Sequence, residues 1–290
     1  MIMNMTGGSA SDVEFAQTNA EITRAVTLEK IEVPTSINGV ALNQVLNTYN
    51  KSDLWARMVW STKKILIPEY FTSANIGQYL TGKWYSALEE VECHSIYFLF
   101  NYEHQHVNLH AIRLPKAEGE IGFAIFPLVA NGTTVPVTHK TVTAHAPKAT
   151  SISPAEFGTE DNIVTLDADF ENCVTFGANR RNLKQGRCWN GTIELPNCET
   201  ITYTYPDAGE ATIYLPKVQQ FTNYFMDGAQ TSGGIVHLYV GPDLSMLANI
   251  NASWWATFGS HVDLHIPPGD STTKQMLDGE GIPYTQDYII

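Results

Sequence analysis

The chain has 290 residues, 43% of them hydrophobic and only 16% charged, and its 17 Lys+Arg against 30 Asp+Glu give a net charge of −13. So low a charge fraction, against about 25% in an ordinary globular domain, predicts an exterior that is mostly uncharged polar or covered by partners. The acidic balance and the absence of any basic run argue against a phosphate-neutralising arm, and no segment approaches the ~20 apolar residues of a membrane span.

The N-terminus, Met1-Ile2-Met3-Asn4-Met5-Thr6, lacks the basic start and apolar stretch of a secretory leader, so a soluble chain is expected. Residues 1–40 are polar, small and aperiodic, and read as an extended arm. Within it Val26, Leu28, Ile31 and Val33 are spaced to add a strand to a neighbouring subunit or pack under an adjoining sheet, which would order the arm. Leu42–Leu46 suits a helical turn. Leu54–Trp60 and Lys64–Pro68 suit strands, as do Ile96–Phe100 and Val107–Pro115, being short, aromatic or β-branched, and bounded by polar breaks. Residues 116–198 carry many prolines and glycines between short β-like pieces and read as a long, partly ordered insertion.

The final third is clearer. Thr200–Tyr205, Glu210–Pro216, Gly234–Val240, Ala252–Phe258 and His261–Pro267 are strand-like, with turn chemistry between them at Pro206-Asp207-Ala208-Gly209, Ser232-Gly233-Gly234 and Gly259-Ser260. Many short strands predict a sandwich or barrel, and a double-sheet jelly roll is one way to hide their edges.

The order of these pieces resembles the picornavirus-like capsid jelly roll. Glu210–Pro216, Gly233–Val240 and Trp254–Pro267 match its later strands, Tyr79-Leu80-Thr81-Gly82-Lys83-Trp84 its entry into strand C, and Val107–Pro115 its strand D. Lys217 departs from the tyrosine that pattern has after its F-strand proline, and the segment between strands D and E is unusually long. The resemblance implies an all-β, eight-stranded antiparallel jelly-roll β-sandwich. The arm would occupy 1–40, the jelly-roll domain 41–268 with 116–198 as the insertion between strands D and E, and a C-terminal extension 269–290. It further implies a structural, non-enzymatic capsid subunit of a small icosahedral picorna-like RNA virus. Its partners would be other capsid subunits and the encapsidated genomic RNA, with a host receptor left open, and its location the virion and, during assembly, the host cytoplasm. A carbohydrate-binding, lectin-like sandwich and a cupin-type metalloenzyme are the rival readings.

The most enzyme-like constellation is Glu103-His104-Gln105-His106-Val107-Asn108-Leu109-His110. His104 and His106 at i,i+2 share a strand face and resemble the His-x-His of the cupins, with His110 as a substitute third ligand. The cupin Glu and its later Gly-x5-Pro-x-Gly-x2-His element are missing, so no metal, cofactor or catalytic residue is expected. His261, Asp263 and His265 alternate along one strand face and read as a polar exterior, as do Asp167, Asp169 and Glu171, which otherwise suggest a calcium site. Trp254-Trp255 reads as core plus interface rather than a sugar platform. Cys93, Cys173, Cys188 and Cys198 form no CxxC and signal a reducing setting.

Overall fold

A computed structural model of the chain describes residues 89–94, 109–125, 141–158, 163–177, 188–202, 209–221, 234–241 and 261–289. It also describes the short strands at 13–15, 22–25, 30–32, 36–37, 40–41, 64–67, 129–130 and 133–134. The segments read as strands at Leu54–Trp60, Ile96–Phe100 and Ala252–Phe258, the turn at Leu42–Leu46 and most of the arm lie outside these residues.

Two compact units are formed, one from residues 1–118 and 125–139, the other from 119–124 and 140–290. In the first, β1 (Val13–Phe15) pairs antiparallel with β2 (Ile22–Ala25), and β4 (Ser36–Ile37) with β5 (Val40–Ala41). Strands β3 (Lys30–Glu32), β6 (Lys64–Ile67), β7 (Glu90–Cys93) and β8 (Ala111–Arg113) lie side by side, all parallel. The short antiparallel pair β10 (Val129–Ala130) and β11 (Thr133–Thr134) completes the unit's described strands.

A charge ladder crosses these parallel rungs. Lys64 Nζ and Arg113 Nη1 lie 3.1 and 3.0 Å from Glu90 Oε2, and His94 Nε2 lies 2.7 Å from Glu92 Oε1. Partial burial works to raise the Glu90 pKa, but the hydrogen bond and charge of Lys64, with those of Arg113, outweigh it and hold the carboxyl below its ordinary value of 4.5. A depressed acid stabilises the fold in full above its unfolded pKa and loses that contribution as pH falls through the folded value. The stability difference between the parent and Glu90→Gln is therefore expected to be constant above about pH 5 and to shrink below about pH 4.5 in urea titrations.

In the second unit the successive turns of chain from residue 141 to residue 221 each contribute one strand to each of two sheets. The first sheet runs β12 (Thr141–His145), β14 (Val164–Asp169), β16 (Trp189–Glu194), β18 (Glu210–Leu215), β20 (Ile235–Val240) and β21 (Val262–His265). The second runs β9 (Gly119–Ile125), β13 (Ala149–Phe157), β15 (Thr175–Gly177), β17 (Thr200–Thr202) and β19 (Gln220–Phe221). The pairings are parallel and step along the sequence by 24 residues (Thr141 to Thr165), 25 (Val164 to Trp189), 20 (Gly191 to Ala211), 25 (Glu210 to Ile235) and 26 (Val236 to Val262). This is a parallel β-solenoid, in which the strand of the opposite sheet serves as the crossover that parallel neighbours require.

The antiparallel jelly roll expected from the sequence is therefore wrong. Glu210–Leu215 and Ile235–Val240 are strands where the sequence placed them, but they pair in parallel as successive rungs. The misreading has a physical cause: parallel sheets usually carry helices on both faces, so apolar–polar alternation points to an antiparallel sheet with one wet face. A solenoid strand has one face in the core and one in water, and alternates in the same way; β18 and β20 are buried at every second residue. Residues 116–198 are likewise no insertion between strands D and E, since they contain β9 and β12 to β16. Of their prolines, Pro147 and Pro196 stand at corners between strands.

Those corners repeat. Ala146-Pro147-Lys148-Ala149, Phe170-Glu171-Asn172-Cys173, Leu195-Pro196-Asn197-Cys198 and Leu215-Pro216-Lys217-Val218 each bury their first and fourth residues. The fourth N–H donates to the first carbonyl in the first three, at 3.1, 3.0 and 3.2 Å. Successive corners are also tied together, because Asn172 Nδ2 donates to Pro147 O (2.7 Å) and Asn197 Nδ2 to Glu171 O (2.9 Å).

Inside, like stacks on like. Ile193, Ile213, Leu238 and Leu264 form one column, and Phe123, Phe157, Phe170 and Phe176 form an aromatic cluster with ring centroids 5.6–6.4 Å apart. All eight side chains are buried.

The C-terminal residues contain a helix the sequence reading did not foresee, α1 (Ser271–Glu280). Asp270 caps it by accepting from Thr273 N–H at 3.0 Å, and Gly281 ends it in the left-handed region at φ 68°, where glycine carries no Cβ penalty. Beyond it the tail runs beside β21, with Ile266 N–H donating to Thr285 O and Tyr288 N–H to Ile266 O. This pairing covers the outer edge of β21, a device that blunts edge-to-edge association.

Candidate functional site

Because neighbouring coils are in register, outward-facing residues of the first sheet also line up in columns. One column is Thr192, Thr212, His237 and Asp263; the next is Glu194, Tyr214, Tyr239 and His265. The strand spacing of about 4.8 Å is close to the contact distance of stacked rings, so aromatic residues at matched positions pile face to face. Tyr214 stacks on Tyr239 with centroids 4.6 Å apart, and Tyr239 on His265 at 4.0 Å and 11°. Tyr288, brought in by the tail pairing, stands edge-on to Tyr239 at 5.5 Å and tilted against Tyr214 at 5.8 Å.

At the Tyr214 end of this stack lies a cleft of about 290 Å³, lined by Glu194, Leu195, Pro196, Tyr214, Pro216, Tyr288 and Ile289. Its walls are the prolines of two successive corners and the two tyrosines, and its one carboxylate among the described residues is Glu194. Burial is the main cause that raises the Tyr288 phenol above its ordinary value, with Tyr214 and the negative charge of Glu194 adding to it. The phenol therefore stays a neutral hydrogen-bonding group beside the carboxylate.

At the other end of the stack the two columns meet in a chain of histidines and carboxylates. His237 Nε2 lies 2.9 Å from Glu210 Oε1 and its Nδ1 3.1 Å from Asp263 Oδ2; His265 Nδ1 lies 2.7 Å from Asp287 Oδ1. Burial disfavours the charge on His237, but the hydrogen bonds and charges of Glu210 and Asp263 outweigh it and raise its pKa above the ordinary 6.5.

Of the residues singled out from sequence, Asp263 and His265 do share an outward face, while His261 bonds instead through Nδ1 to Gly234 O at 3.0 Å. The outward carboxylate Asp167 is engaged by Thr143 Oγ1 and His145 Nε2, each at 3.2 Å, and with Asp169 forms the exposed face of β14. His110 is half-buried in the first unit, just ahead of β8. His104, His106, Trp254 and Trp255 lie outside the described residues. The four cysteines are buried and in no disulfide, and burial pushes Cys173 and Cys198 up to about 12, which leaves these two unreactive at neutral pH.

Sequence reading missed Glu194, Glu210, Tyr214, His237, Tyr239, Asp287 and Tyr288. The coil step joins the first five, and its signal was the recurring corner tetrapeptide, apolar-Pro/Glu-Lys/Asn-apolar, at Ala146, Phe170, Leu195 and Leu215, whereas Asp287 and Tyr288 are brought in by the tail. No family model matches the chain, and searches of curated proteins and of solved structures find no match to it.

Proposed function

We propose that this protein binds saccharides on the outer face of its solenoid, in the cleft between Glu194 and Tyr214. The observation that carries the reading is the cleft itself: about 290 Å³, one aromatic wall, apolar sides, and a carboxylate beside a neutral phenol. A sugar ring offers a C–H face for the aromatic wall and hydroxyls for the polar pair, and the volume, at the low end of small-molecule sites, fits one or two rings. Solenoids also offer long repetitive surfaces along which a polymer can lie.

The reading is of binding rather than turnover. Hydrolysis of a glycosidic bond uses a pair of carboxyl groups flanking the bond, and Glu194 is the one carboxylate among the described residues lining the cleft. The role of a viral shell subunit rested on the jelly roll, and with parallel coils in its place no feature of the described residues supports it.

The test is calorimetric titration against a panel of neutral and acidic mono- and disaccharides. At least one should bind. Tyr214→Ala should weaken it by about tenfold or more, equivalent to about 1.4 kcal/mol, and Glu194→Gln should do so with the circular dichroism spectrum unchanged. No binding across the panel, or equal binding by both variants, would refute the proposal.

A further inference from the structure

We infer that His237, Asp263 and His265 form a site for a divalent transition-metal ion, Zn²⁺ by its donor set, separate from the saccharide cleft. The three residues each offer one ligand atom, and these atoms all lie within 4.8 Å of one another. Asp263 Oδ2 is the hub, 3.1 Å from His237 Nδ1 and 3.2 Å from His265 Nε2. Ligands about 2.0–2.1 Å from a tetrahedral zinc stand about 3.3 Å apart, so both edges already have the span the ion needs.

A second observation points to a ligand independently of the cluster. The His265 side chain is only 9% exposed, and its Nε2 is buried without a hydrogen-bond partner, the 3.2 Å approach to Asp263 being too poorly aligned to make one. A buried ring nitrogen left in this way is a cost unless something accepts its lone pair. Its other nitrogen, Nδ1, lies 2.7 Å from Asp287 Oδ1, which fixes the tautomer that leaves Nε2 free to ligate. His237 is held in the same manner, Nε2 at 2.9 Å from Glu210 Oε1, leaving Nδ1 for the ion. A carboxylate behind each histidine is the supporting arrangement of metal-ligating histidines, where it orients the ring and raises its basicity.

Two imidazoles and one carboxylate suit zinc or a neighbouring transition metal and do not suit calcium or magnesium, which take oxygen ligands. Asp263 is 48% exposed, so the remaining coordination position faces solvent and would carry water.

The experiment is competition of Zn²⁺ between chelator-stripped full-length protein and a chromophoric chelator, with the tetrahedral visible spectrum of Co²⁺ as a second readout. One equivalent per chain is expected. His265→Ala should abolish it. His237→Gln, at a more exposed position that leaves the core untouched, should weaken it by at least tenfold, and Asp287→Asn by roughly 10–100-fold. Absence of stoichiometric binding, or binding that His237→Gln and Asp287→Asn leave unchanged, would overturn the assignment. Saccharide titration of His237→Gln should match the parent, so failure of the metal site and failure of the cleft are told apart.

Discussion

Phe170→Ala is expected to lower the unfolding free energy by about 3–5 kcal/mol, the range for deleting a buried aromatic ring whose space cannot collapse. Phe170 is 1% exposed and opens the corner between β14 and β15, so one side chain serves both the turn and the core. Its ring lies 5.6 Å from Phe123 and 5.7 Å from Phe176, rings carried by β9 and β15 of the second sheet, so neither neighbour can close the gap without moving its strand. Urea denaturation checks this: the midpoint should fall with the slope unchanged. A loss under about 1.5 kcal/mol would mean that the stack is not packed as described.

A smaller change should act nearly as strongly at Gly241. Its N–H donates to Leu215 O at 2.9 Å, and a Cβ at this position would run into the carbonyl of Pro216, at the corner of the preceding coil. The clash is with the backbone of Pro216, so no side-chain rotation relieves it. Gly241→Ala should destabilise by about 2–3 kcal/mol, large for the addition of one methyl group. Gly269→Ala, where a Cβ meets nothing within 4 Å, is the control and should change stability by under about 0.5 kcal/mol. Equal stability of the two variants by thermal unfolding would contradict the coil-on-coil contact.

These two positions also explain how much of the fold could be read in advance. The strands at Glu210–Leu215, Ile235–Val240 and Val262–His265 follow from local alternation, which reports only that one face is dry. Whether the dry face meets an antiparallel partner or the coil above is decided by pairing partners 20–26 residues away, and alternation carries no trace of that. The prolines at 147, 196 and 216 do carry it, since they recur at one place in three of the four corners, but singly each reads as a loop. The candidate site was obscured for the same reason. Asp263 and His265 are two apart in sequence and visible as a pair, whereas His237 joins them only through the rung pairing of His237 with Asp263, and Asp287 only because the tail returns along β21. The helix α1 was legible in principle from Asp270, Thr273 and Gly281, its cap residues.

The claim on which both sites depend is that outward residues on consecutive strands stand in the same rung, and cysteine cross-linking measures it directly. Thr192 and Thr212 are paired on β16 and β18, so their Cα atoms are about 4.8 Å apart, within the reach of a disulfide. Glu210 is two residues out of register with Thr192, at about 8 Å, beyond that reach. In the folded protein, mild oxidation of Thr192→Cys/Thr212→Cys should yield an intramolecular disulfide, seen as the mass loss of two hydrogens, whereas Thr192→Cys/Glu210→Cys should remain reduced. Failure of the first pair to close, or closure of both at equal rates, would contradict the rung register and with it the site built upon it.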